Sequence, residues 1–238
     1  MRLPNCYRCG NQPCTCADGC TIYCGDALEI VPLLNCETVI TDPPYMIGSQ
    51  STGVEKSKVG GWGDQMNSAV WYSIWLEATD AIRSREGYIA VFGNWRSMAV
   101  YARAFSLAGL PMTSCLVWDK DWIGPAYENA LRPTYELVVL SAAEQSQIKD
   151  RSVSDVYRCK WLAGQSRTTE HRAEKPVELL RHLVTHLSEP NWRVLDPFLG
   201  SGTTLRACKD LGRRGIGIEI EERYCEIAAR RLEQGVLF

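Results

Sequence analysis

The sequence predicts an α/β fold: a doubly wound parallel sheet covered by helices on both faces. Three observations carry that prediction. Short apolar runs of strand length alternate with longer segments of helical period, a glycine-rich turn joins one such run to a helix near the C-terminal end, and no internal repeat or low-complexity tract suggests another organisation.

The elements follow in order. Residues 21–23 and 38–41 are short apolar runs of the kind found in buried parallel strands. Pro43-Pro44 breaks the second run, and the Gly/Ser/Lys stretch 48–63 reads as a mobile loop. Over residues 64–84 a helical period places Val70, Trp71, Ile74, Trp75, Ala78 and Ile82 on one face, where core packing accounts for the tryptophans. Residues 87–93 read as a strand, 97–108 as a helix, and 114–118 and 135–141 as further strands. Residues 142–174 are polar, basic and poorly periodic, which marks an insertion. Pro176 suits the first turn of a helix running to about residue 187. The C-terminal part is the clearest: strand 193–196, a turn with Gly200 and Gly202, helix 203–211, strand 215–219 and helix 221–232.

With 238 residues, 45% of them hydrophobic, the chain can bury the core of one sizeable domain with a modest insertion. Its longest apolar runs fall well below the roughly 20 residues of a membrane span, and its polar start offers no signal-peptide core. The expectation is a soluble, cytoplasmic protein with no membrane partner. A formal net charge of -2 excludes a protein that coats nucleic acid by bulk charge, but it permits a local basic groove. Between residues 149 and 175, Lys149, Arg151, Arg158, Lys160, Arg167, Arg172 and Lys175 outnumber Asp150, Asp155, Glu170 and Glu174. By composition alone such a mixture reads as solvated surface. The eleven cysteines, unevenly placed and without a signal peptide, point to a reducing compartment. Four of them, Cys6, Cys9, Cys14 and Cys16, fall within eleven residues of the N-terminal segment 1–20. A Cys-x-x-Cys followed by a close second pair can wrap a tetrahedral zinc ion, with Cys20 and Cys24 as substitute ligands. A reduced, flexible tail is the other reading.

Two constellations carry chemistry. In Asp196-Pro197-Phe198-Leu199-Gly200-Ser201-Gly202, a glycine turn between strand and helix lets a ligand approach the backbone. The next strand ends in Glu219, about twenty residues on, where a carboxylate can accept hydrogen bonds from both hydroxyls of a ribose. That order of strand, turn, helix, strand and acid points to an adenosine-type cofactor. The second constellation, Thr41-Asp42-Pro43-Pro44-Tyr45, directly follows an apolar strand, so it can face the same crevice beyond the strand ends. Its prolines remove two amide donors and leave carbonyls free to accept. Alone it would read as a proline turn with a buried tyrosine.

Together, the two motifs resemble the amino-methylating (N6-adenine/N4-cytosine) DNA methyltransferases, in the beta-type order with the catalytic motif first. The resemblance runs from about residue 21 to the C-terminus. It implies a Rossmann-like S-adenosylmethionine-dependent methyltransferase fold over residues 21–238, with residues 142–174 as a DNA-recognition insertion. It implies that Asp42, Pro43, Pro44 and Tyr45 are catalytic and that Asp196, Phe198, Gly200, Ser201, Gly202, Thr203 and Glu219, with Asp42, hold S-adenosylmethionine. Gly25-Asp26-Ala27-Leu28 and the segment from His171 to Lys175-Pro176 resemble two further family segments and add Asp26, His171 and Lys175 beside the cofactor. As isolated residues, Asp26 could equally be a helix cap and His171 a surface histidine.

The resemblance makes duplex DNA the partner and leaves the oligomeric state open, a dimer included. Asp as the first residue of the tetrad favours adenine N6, with cytosine N4 as the alternative within the same chemistry. A protein or RNA methyltransferase would more often carry Asn there and place the cofactor motif first. A catalytically inactive DNA-binding module would be expected to have lost Asp42 or the glycine turn.

Overall fold

The structure is a computed structural model that describes residues 2–44, 65–124, 128, 131–161 and 174–235. Among these residues the strands are β1 (Thr21–Cys24), β2 (Thr38–Thr41), β3 (Tyr88–Gly93), β4 (Ser114–Asp119), β5 (Tyr135–Ala142), β6 (Val156–Arg158), β7 (Arg193–Asp196) and β8 (Arg214–Glu219). They form one sheet in the order β1-β8-β7-β2-β3-β5-β4-β6. The helices are α1 (Ala27–Ile30), α2 (Gln65–Ile82), α3 (Met98–Leu107), α4 (Val177–Leu187), α5 (Thr203–Asp210) and α6 (Glu222–Glu233).

The strands are apolar on both faces because helices cover both. Side chains alternate across the sheet: Ile22, Ile40, Ala90, Phe92 and Val194 join one core with α4, α5 and α6. Their neighbours Tyr23, Val39, Ile89, Val91 and Leu195 join a second core with α1, α2 and α3. The doubly wound expectation is met.

The all-parallel expectation is not. β5 runs antiparallel to both β3 and β4, pairing Phe92 with Val138 and Leu116 with Val138. The physical reason is the connection: no helix among the described residues separates β4 from β5, so β5 returns beside its predecessor as an antiparallel strand.

Two further expectations are corrected. On α2, Val70 and Ile74 are exposed, whereas Ala69, Tyr72, Trp75, Leu76 and Thr79 are buried. Buried Ser68, Ser73 and Thr79 lie on the inner side while apolar Val70 and Ile74 lie outside, so the apolar period alone could not select the inner face; packing against α3 and the sheet does. Residues 142–174 are not wholly outside the sheet either. β6 pairs in parallel with β4, and buried Trp118 donates its indole N–H to the Cys159 carbonyl at 2.7 Å. The mobility expected of residues 48–63 lies outside the described residues. No helix among the described residues is long and apolar enough to cross a membrane.

Candidate active site

The two motifs meet because β2 and β7 are neighbours, with Thr38 opposite Val194 and Val39 opposite Leu195. After β7 the chain turns to α5 on one face, and after β2 it proceeds to α2 on the other. Helices departing to opposite faces leave a crevice beyond the carboxyl ends of adjacent strands, the switch point at which open α/β sheets bind ligands. A cavity of about 360 Å³ lies there, lined by Asp42, Pro43, Pro44, Phe198, Gly200 and Glu219 among others. That volume lies in the range of small-molecule sites.

On the β7 side, Asp196 is buried and all its contacts are internal. Its Oδ1 accepts from the Thr41 hydroxyl at 2.7 Å and the Phe198 N–H at 3.1 Å, while Oδ2 accepts from the Thr204 hydroxyl at 2.7 Å. Burial pushes this carboxyl up to about 6, against the lowering effect of those three donors. Asp196 thus ties β2, β7 and α5 together beneath the cavity. Phe198 packs against Trp71 and Trp75 of α2, at ring-centroid distances of 5.6 and 5.5 Å.

Gly200 and Gly202 take φ of 53° and 81°, the left-handed region that favours glycine. A Cβ on Gly202 would stand 2.7 Å from that of Ala228, so the glycine also lets α6 pack close. Ser201 and Thr203 are buried in the same turn, and the Thr203 hydroxyl accepts from Arg231 at 3.1 Å. At the end of β8, Glu219 accepts from the Gly200 N–H through Oε2 and from the Glu221 N–H through Oε1, each at 2.9 Å. The carboxylate sits at the lip of the cavity. Exposed Ile220 follows and lines the cavity as well.

Asp26 stands at the same rim, since β1 pairs with β8 in a register that sets Cys24 beside Glu219. There it caps α1, accepting from the Leu28 N–H at 2.8 Å, and it does not line the cavity.

On the β2 side, Asp42 is held by Lys175, whose Nζ lies 2.8 Å from Oδ2. Lys175 also lies 3.0 Å from Glu136 on β5, and Glu136 in turn binds Lys120 at 2.6 Å. Two carboxylates and two ammonium groups thus form a charge-balanced chain under the site. Burial would depress the Lys175 ammonium, but Asp42 and Glu136 overcome it and raise its pKa. Burial would likewise raise the Glu136 carboxyl, but Lys175 and Lys120 hold it below its ordinary value. Asp42 Oδ1 is buried and accepts no hydrogen bond among the described residues. The Pro44 carbonyl accepts from Tyr72 at 2.7 Å, which anchors the proline pair to α2.

Sequence reasoning missed Glu136 and Lys120. The signal was present, since Glu136 is a lone acid inside the apolar run of β5, but its partners come from distant segments. It also missed the buried Glu174–Arg231 pair at 2.6 Å, which fastens the residue before Lys175 to α6. Tyr45 and His171, both expected at the site, lie outside the described residues.

At the N-terminus, the sulfur atoms of Cys6, Cys9, Cys14 and Cys16 all lie within 4.8 Å of one another, as a shared metal ion would require. Backbone hydrogen bonds from Thr15 and Asn11 lower the Cys9 thiol to about 6.

A sheet of this order with ligand-facing turns after β2, β7 and β8 defines the Rossmann-like class of S-adenosylmethionine-dependent methyltransferases. Solved structures bear out that fold. A structure of M1.HpyAVI in complex with SAM superposes with a TM-score of 0.69 at 24% identity, covering 90% of this chain and all of the other. The PvuII DNA methyltransferase, described as cytosine-N4-specific, gives 0.73 at 16% identity, covering 92% and 88%. The chain belongs to the DNA methylase family of N6 and N4 methyltransferases, whose family model matches residues 36–230. Among curated relatives, the type II methyltransferase M.HinfI of Haemophilus influenzae is 27% identical over 90% of this chain and 68% of its own length.

Proposed function

We propose that the chain transfers a methyl group from S-adenosylmethionine to the N6 amino group of adenine in duplex DNA. The observation that carries this reading is the Asp42 side chain. One oxygen is clamped by Lys175 while the other is buried at the cavity wall with no hydrogen bond among the described residues. An unsatisfied buried acceptor costs about 1 to 3 kcal/mol, so this oxygen is matched to a donor that arrives with the substrate. An exocyclic base amine brings two such N–H groups.

S-adenosylmethionine, when bound, supplies a methyl group activated by its sulfonium charge. The cavity residues fit it: Glu219 can take the ribose hydroxyls, the turn from Phe198 to Thr203 can border the cofactor closely, and Ile220 can lie against the adenine. The chain's own work is on the target base. An amine conjugated to a ring is a poor nucleophile, and inside a duplex it is out of reach, so the base must be extruded into the pocket. Asp42 Oδ1 and the Pro43 carbonyl can accept the two amino hydrogens and direct the nitrogen lone pair across the cavity. Tyr45 can stack on the extruded ring. Lys175 and Glu136 hold Asp42 in place, so rate is gained by positioning and electrostatics with no covalent enzyme intermediate.

Adenine is favoured over cytosine by Asp in the first position of Asp42-Pro43-Pro44-Tyr45. DNA contacts are assigned to residues 142–174. There Arg158 and Lys160 are exposed, although Arg158 is also paired with Asp119 at 2.8 Å. The test is to incubate duplex DNA with the protein and labelled S-adenosylmethionine, digest it to nucleosides and identify the labelled base. Label in N6-methyladenine is expected. Label in N4-methylcytosine would overturn the base assignment, and label in RNA or protein supplied in parallel, with none in DNA, would overturn the substrate.

A further inference from the structure

We propose that Cys6, Cys9, Cys14 and Cys16 form a structural zinc site that fastens the N-terminal segment over the open edge of the sheet at β1. Tetrahedral Zn–S bonds of about 2.3 Å place sulfurs about 3.8 Å apart, whereas a disulfide would hold a pair at about 2.05 Å. The Cys9 and Cys14 sulfurs are 3.8 Å apart, and all four sulfurs lie within 4.8 Å of one another. Thiols are weak hydrogen-bonding groups, so four of them gain little from meeting at one point unless a cation joins them.

The backbone around the cluster is shaped for the same purpose. Gly10 has a φ of 70°, and its N–H donates to the Cys6 carbonyl at 2.8 Å. This turn brings the two sulfurs of Cys6-Tyr7-Arg8-Cys9 to one side. The Cys6 N–H donates to the Asn11 carbonyl at 3.0 Å, and the Cys16 N–H approaches the Cys14 sulfur at 3.5 Å. Amides directed at sulfur favour thiolates, the form that binds metal.

The position of the cluster supplies its role. β1 is the terminal strand of the sheet, and an uncovered edge strand offers unpaired backbone groups to other chains. The Tyr7 N–H donates to the Ile22 carbonyl of β1 at 2.8 Å. Arg8 pairs with Asp18 at 2.7 Å and donates to the Cys20 carbonyl at 2.8 Å. Residues 2–20 contain no helix or strand; a few such bonds and the packing of Leu3 and Tyr7 against the two cores hold them, and a shared metal would join their loops at one point. A groove under Cys14 and Cys16 is lined by Arg193 and Arg214, at the amino ends of β7 and β8. The catalytic crevice lies at the opposite, carboxyl ends. A tetrathiolate suits zinc or iron, and a site remote from the reaction with only a shape to maintain fits the metal without redox chemistry.

The test uses the full chain purified under reducing conditions with no metal added. Elemental analysis should find one zinc per chain, retained in Cys115→Ser, which alters a thiol outside the cluster, and lost in the double variant Cys9→Ser/Cys14→Ser. Because that variant could fail to fold, the wild-type chain is also stripped with a chelator until analysis finds no metal. The stripped chain should melt at a lower temperature, become sensitive to trypsin at Arg8, and recover on adding zinc alone. Cobalt(II) in place of zinc should give the absorption bands of a tetrahedral thiolate site. Absence of metal, stoichiometric iron, zinc retained by the double variant, or a melting temperature unmoved by stripping would each overturn the proposal.

Discussion

At the scale of single residues, two carboxylates in one crevice are set to opposite tasks by their surroundings. Asp196 spends both oxygens on Thr41, Thr204 and Phe198, while Asp42 keeps one oxygen unbonded among the described residues. Burial raises the Asp196 carboxyl from an ordinary 3.8 to about 6. A raised carboxyl stabilises the fold fully only below its unfolded value, and the contribution fades as pH climbs through its folded value. Wild type should therefore lose stability relative to Asp196→Asn between about pH 4 and pH 6, by about 1.4 kcal/mol for each unit of displacement. Thermal melts of both proteins across that window would show it; a constant difference would mean that Asp196 stays ionised throughout. At the cavity lip, Glu219→Ala should weaken S-adenosylmethionine binding by about 1 to 3 kcal/mol, because the ribose loses a charged acceptor. Titration calorimetry reads this directly, and unchanged affinity would place the ribose elsewhere.

At the scale of elements, what the sequence revealed was whatever is local. The β7 strand, its glycine turn, α5 and the acid-terminated β8 are contiguous, so apolar runs, Gly200, Gly202 and Glu219 were enough to locate them. The direction of β5 was not legible, because strand polarity depends on the connection and not on side-chain pattern. Nor was the Asp42–Lys175–Glu136–Lys120 chain, whose members come from four separated segments that only the sheet order brings together. The inner face of α2 was ambiguous for a different reason: apolar Val70 and Ile74 stand outside while polar Ser68, Ser73 and Thr79 stand inside, so polarity does not sort the faces. The observed burial makes the ambiguity testable. Trp75→Ala should cost about 3 to 5 kcal/mol, whereas Ile74→Glu on the exposed side should stay within about 0.5 kcal/mol. Denaturant unfolding separates the two, and equal losses would return the inner face to the one that period alone suggested.

At the scale of the whole molecule, affinity for DNA and chemistry on the base are assigned to different places. If residues 142–174 grip phosphates, replacing Arg158, Lys160 and Arg167 together by alanine should raise the KM for DNA and flatten its salt dependence, with cofactor affinity unchanged. Wild-type efficiency across a salt series would move the recognition surface elsewhere. In the proposed reaction β2 and β7 converge so that Asp42 acts on an amine while the β7–β8 side holds the cofactor. Its most direct test is to measure methyl transfer to DNA and S-adenosylmethionine affinity side by side in wild type and Asp42→Ala. Turnover should fall by orders of magnitude with cofactor affinity nearly intact, because the missing carboxylate serves the transition state. An Asp42→Ala protein that still methylates, or one whose loss of activity is matched by an equal loss of cofactor binding, would contradict it.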